Sequence, residues 1–79
     1  MNPPSVYADF NNADPRGCLR LNCIGTIEDL ARQGIRLQEG LQLLLHDEEV
    51  EAEGEAHFSS EEEVWVALIN WRMVRQKRA

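Results

Sequence analysis

The amino-acid sequence predicts a mainly β domain of about five strands with one short helix. Three observations carry that expectation. Residues 50–58, VEAEGEAHF, alternate small or apolar with polar at every step. Residues 64–71, VWVALINW, are dense in β-branched and aromatic side chains. One segment only, 26–33, carries helix punctuation at both ends.

The first of these stretches decides between periodicities. As a strand, Val50, Ala52, Gly54, Ala56 and Phe58 share one face, and Glu51, Glu53, Glu55 and His57 share the other. As a helix the apolar residues scatter around the axis and Gly54 sits badly in the middle. The three glutamates then stand about 6.6 Å apart along the strand. That spacing suits a solvated outer face that discourages edge pairing, and it is too wide for one metal ion to be shared unless a neighbouring strand adds ligands. Gly54 is expected at a bulge or tight bend.

SSEEE at 59–63 reads as the turn of a hairpin leading into 64–71. That second strand is apolar on both faces, with Val64, Val66 and Leu68 on one and Trp65, Ala67, Ile69 and Trp71 on the other. Such a strand belongs inside a covered sheet, or turns one face to an interface. Further strands are expected at 41–46 (Leu41, Leu43, Leu45 alternating), at 16–24, and at 6–10 with Val6, Ala8 and Phe10 on one face. Asp14-Pro15 with Gly17 marks a turn.

For the helix, Thr26 is the expected N-cap and Asp29 a capping-box partner. Ile27, Leu30 and Ala31 form its apolar stripe, Gly34 supplies the left-handed stop, and Ile35 packs back. Two turns are unstable alone, so the helix must cover an open end of the sheet. A small, partly open SH3-like barrel or roll fits these elements, with a small α+β roll as the alternative. Residues 1–5 are expected as a flexible N-terminus, 6–71 as the single domain, and 72–79 as a basic tail, a short helix or frayed end.

Size and charge narrow the function classes. A chain of 79 residues, 43% hydrophobic and 28% charged, is one small globular domain. Chains of this size retain about 3–5 kcal/mol of net stability, and self-association is a common supplement. The net charge of −6 argues against binding a duplex through its phosphates. Between Asp47 and Glu63 lie nine acids and no Lys or Arg, whereas Arg72, Arg75, Lys77 and Arg78 form a run of four bases. No apolar run reaches the length of a membrane span and the N-terminus lacks signal-peptide features, which predicts a cytoplasmic protein. Cys18 and Cys23 should then be reduced. On one extended strand they would lie about 16 Å apart, beyond disulfide reach, and buried thiols are expected.

The order RLN, GTIEDL, GIRLQEG and WVALINW, covering about residues 7–74, resembles a small bacterial β-rich domain family without an assigned activity. The resemblance implies a β-rich fold and a longer Asp- and Gly-rich insert in relatives where this chain has only HDEEVEAEG, and it carries over no catalytic residues.

Candidate sites follow from residue type and spacing. His46, Asp47, Glu48 and Glu49 are the metal candidates, although their pattern lacks the Asp-x-Asp-x-Asp-Gly rhythm of a calcium loop. Cys18, Cys23, His46 and His57 do not match a zinc-finger spacing. No phosphate loop or nucleophile–base pair is legible, and a domain this small has little room for a pocket of about 300 Å³. No enzyme and no cofactor are therefore expected. Trp65, Ile69 and Trp71 are the partner-binding candidates, since aromatics concentrate at binding hot spots. The expected role is a small non-enzymatic protein-interaction or structural module, docking an unidentified protein or a second copy. The alternatives are an acidic divalent-ion-binding domain and a weak nucleic-acid contact through the basic tail.

Overall fold

The computed structural model describes residues 2–77, so Met1 of the expected N-terminal segment and Arg78 and Ala79 of the expected tail lie outside the described residues. Among the described residues six strands form one strongly curled sheet, a half-barrel with one short α-helix. They are β1 (Ser5–Tyr7), β2 (Leu19–Arg20), β3 (Gln42–His46), β4 (Val50–Ser59), β5 (Val64–Ile69) and β6 (Arg75–Gln76), with α1 at Ile24–Gln33. The order across the sheet is β1-β3-β4-β5-β2, and β6 pairs with β4. β1 and β3 are parallel, and the pairings of β4 with its neighbours and of β5 with β2 are antiparallel. From β1 the chain crosses to the opposite edge, where Ala13 pairs with Leu19 of β2.

The alternation read at 50–58 is realised. Ala52, Gly54 and Ala56 are buried, together with Val6, Leu19, Leu43, Leu45, Ala67 and Ile69, in a core on the concave side. Gly54 is not at a bulge: it pairs in register with Leu43 on one side and, as the end pair of that ladder, with Ile69 on the other. Its requirement is space. A Cβ there would lie 2.9 Å from Ile69 Cγ2 and 2.9 Å from Leu45 Cδ1. The curl brings β3 and β5 together over β4, and only a residue without a side chain fits between them.

Three elements are shorter than their sequence pattern. The 16–24 strand contracts to Leu19–Arg20. A turn closes its start, where Asp14 Oδ1 accepts the backbone N–H groups of Arg16 and Cys18, both at 2.9 Å. Helix α1 then begins at Ile24, two residues before the expected start. The 6–10 strand contracts to Ser5–Tyr7. The 64–71 strand ends at Ile69, because the Asn70 side chain accepts the Arg72 N–H and turns Trp71–Met73 into a 3₁₀ turn.

The helix is oriented differently from its apolar pattern. Its N-cap is Cys23, whose side chain caps nothing, and Thr26 is an interior, fully buried residue. Thr26 donates its hydroxyl to Tyr7 O at 2.7 Å, and Asp29 Oδ2 accepts the Tyr7 N–H at 2.8 Å. Gln33 donates to Ser5 O at 2.7 Å. Side chains of α1 thus occupy the backbone groups on the outer edge of β1, as a neighbouring strand would. Leu30 alone of the expected stripe is buried, and Ile27 and Ala31 face outward. The stop is as read: Gly34 is left-handed at φ 67°, and the Ile35 N–H reaches Leu30 O at 2.9 Å.

Both ends of the described segment join the sheet. Leu44 donates its N–H to Pro4 O, and Ser5 is already paired. At the other end Arg75 and Gln76 pair with Glu51 and Val50, and the Lys77 N–H reaches Glu49 O at 2.8 Å. Among the described residues, no helix is long and apolar enough to cross a membrane.

Candidate functional site

The outer face of β5 lies in a groove. Register places Val66 opposite His57 on β4 and opposite Arg20 on β2, while Leu68 stands opposite Glu55. Val66 and Leu68 are the floor, with the half-buried Cys18 beside them. The Asp14–Cys18 turn is one wall, and His57 with the end of β4 and the following hairpin is the other. The open groove offers about 340 Å³, at the lower end of the range for small-ligand pockets. Arg16 Nη2 reaches Glu61 at 2.8 Å and joins the two walls. Beyond it, Arg20 holds Glu62 through two parallel bonds of 2.7 and 2.9 Å and also donates to Ala13 O. The Glu62 carboxyl is accordingly held below its usual value and the Arg20 guanidinium raised above its own, each through the hydrogen bond to the other.

His57 sits between two carboxylates. Nδ1 lies 2.9 Å from Glu39 Oε1 and Nε2 lies 2.8 Å from Glu55 Oε1. Glu39 comes from the turn before β3, and its second oxygen accepts the Phe58 N–H. That contact continues the pairing of β4 beyond the reach of β3. The bond to Glu39, followed by that to Glu55, raises the His57 pKa above the ordinary imidazole value. Glu39 is lowered, first by the Phe58 N–H and then by His57.

Burial and then the Asp14 carboxylate push the Cys18 thiol up, only partly offset by Arg16, and this favours the protonated form. Cys23 Sγ is 3.0 Å from Thr26 Oγ1. Both cysteines are free and half-buried rather than fully buried.

The metal candidates of the sequence do not converge. Asp47 Oδ1 accepts the N–H groups of Glu49 and Val50, closing the β3–β4 hairpin as a turn residue. His46 Nδ1 faces Lys77 Nζ at 3.5 Å. Among the described residues no three His, Cys, Asp or Glu side chains form a metal-binding group. Two members of the basic run lie against this acidic hairpin: Arg75 pairs with Glu51 at 3.0 Å, and Lys77 donates to Asp47 O at 2.8 Å.

The partner-binding candidates are placed apart from one another. Ile69 lies in the core, and Trp65 packs against the core with Phe58 on its edge, ring centroids 5.5 Å apart. Trp71 has left the strand. It is partly exposed, stacks edge-on with Phe10, and donates its indole N–H to Gly17 O at 2.7 Å. The apolar residue of β5 that most reaches solvent is Leu68, at 53% exposure. The two-sided pattern of β5 already signalled its face. The groove walls had no such signal, because they come from turns distant in sequence.

No known protein family, curated protein or solved structure matches the chain. What the site can do rests on its geometry. The motif-level resemblance gives none of these residues a role.

Proposed function

We propose that the protein is a small non-enzymatic interaction module that docks a basic, extended segment of another protein in the groove over β5. The observation that carries this reading is Leu68, more than half exposed at 53% on the floor of a walled groove. An apolar side chain of the partner would sit on Leu68 and Val66. The partner's basic residues would meet Asp14 and Glu61 on the groove walls and Glu55 opposite Leu68, in competition with Arg16 and His57 of this chain.

Charge complementarity selects this occupant over a second copy. Two chains of net charge −6 would bring like-charged faces together, which slows encounter and weakens the complex. Strand addition is also disfavoured. The edge of β1 is covered by α1, that of β2 by Ala13, and that of β4 beyond β3 by Glu39 and Leu41. The raised Cys18 thiol and the doubly held His57 support the non-enzymatic part of the reading.

Selection from a displayed library of random peptides tests the proposal. Enriched peptides should combine Lys or Arg with a large apolar residue, weaken with added salt, and lose binding to the Leu68→Lys variant. A library that yields nothing, or peptides that bind Leu68→Lys equally well, would refute it. Sedimentation at micromolar concentration should give a monomer, and a dimer dissolved by Leu68→Lys would replace the foreign partner with a second copy.

A further inference from the structure

We propose that the Glu39–His57–Glu55 bridge is a proton-held latch, which pins the turn at 38–40 to the end of β4 and loosens when the His57 ring becomes neutral. The geometry itself requires the proton. An ionised carboxylate only accepts hydrogen bonds, and a neutral imidazole has one N–H and one lone pair. With Glu39 at 2.9 Å from Nδ1 and Glu55 at 2.8 Å from Nε2, only the doubly protonated ring gives both carboxylates a donor. Loss of one proton sets a ring lone pair against a carboxylate oxygen, and one of the two contacts must open.

Every element packed around the ring contributes to this balance. The turn supplies Glu39, and β4 supplies Glu55, which is also held by Gln42 of β3 at 2.8 Å. β5 presents only the apolar Val66 and Leu68, and across the groove stand Asp14, Arg16, Cys18 and Glu61. Acids outnumber bases, and the ring is favoured as a cation. The latch holds more than a side chain. Glu39 accepts the Phe58 N–H, and the neighbouring Gly40 N–H reaches Ala56 O at 2.8 Å, so the turn completes the edge of β4. Phe58 and His57 also form one wall of the groove, and opening the latch changes that wall. The device is a property of the unliganded chain and stands or falls apart from the docking proposal.

The sign follows from the pKa directions. His57 is raised, so the latch closes on the acidic side and opens as pH climbs through a value above the ordinary imidazole value of about 6.5. Glu39 is lowered, so its carboxylate persists into acid and the closed window spans mildly acidic to neutral pH.

An NMR titration of the unliganded chain from about pH 5 to about pH 9 tests it. The His57 ring should titrate above the ordinary value. The amide shifts of Phe58 and Gly40 should follow the same midpoint, and Phe58 exchange should accelerate beyond that of the β4 residues paired to β3. In Glu39→Gln the ring midpoint should fall toward the ordinary value, and in His57→Gln the Phe58 amide should lose its transition. A wild-type ring titrating at or below the ordinary value, or a Phe58 amide indifferent to it, overturns the latch. That wild-type readout decides the matter even where a variant fails to fold.

Discussion

Leu68 and Ile69 are adjacent, similar in size and apolar, yet one is 53% exposed and the other 8%. They stand on opposite faces of β5, and the sheet treats its two faces differently. On the concave side the curl draws β3 and β5 together, and the positions on β4 between them are Ala52, Gly54 and Ala56. On the convex side there is room, and β4 carries Glu51, Glu53, Glu55 and His57. Curvature, and not hydrophobicity alone, decides which side chains each face accepts.

The largest expected effect separates these neighbours. Ile69→Ala should cost about 2–5 kcal/mol, the usual cost of emptying a core site. A domain holding about 3–5 kcal/mol in total would then lose a large part of its stability. Leu68→Ala should change stability by no more than about 0.5 kcal/mol. Urea unfolding followed by tryptophan fluorescence measures both, and equal losses would break the distinction between the faces. Gly54→Ala comes next. A methyl group meeting Ile69 and Leu45 at 2.9 Å forces at least one to move, for about 1–3 kcal/mol. A neutral outcome would mean that the curl is not as tight as the contacts imply.

Helix α1 follows the same rule with polarity reversed. Beside the core residue Leu30, its inward residues Thr26 and Asp29 are polar because they face backbone groups on the edge of β1, while Ile24 and Ile27 face outward. Asp29→Ala removes the acceptor of the Tyr7 N–H and should cost about 1–2 kcal/mol, whereas Asp29→Asn keeps an acceptor oxygen and should recover most of it. Thermal unfolding of the pair distinguishes a hydrogen-bonding role from simple packing.

These cases mark how far the sequence could be read. Strand alternation at 50–58 and the Gly34 stop depend on neighbours within a few residues, and they are legible. The apolar spacing of Ile27, Leu30 and Ala31 has helical period too, but it points the wrong way. What Thr26 and Asp29 face is an edge about twenty residues earlier in the chain, invisible to local pattern. The same holds for the site. Leu68 was visible as the second face of a strand, and Glu55 and His57 as neighbours on one face. Glu39, which completes the bridge, arrives through a turn that carries no sign of its destination.

The convex face also predicts the smallest effect. Arg20 and Glu62 form a two-bond pair there with side-chain exposures of 27% and 32%, so solvent screens much of their attraction. Glu62 is lowered in the folded chain. Its contribution is therefore complete above the unfolded carboxylate value of about 4.3 and is lost as pH falls through the lower folded value. Urea midpoints of the wild type and Glu62→Gln should differ slightly at neutral pH and converge in acid. A gap that persists unchanged below the folded value would show that Glu62 acts through its hydrogen bonds in either protonation state. In that case the hairpin is held to β2 by shape and not by charge.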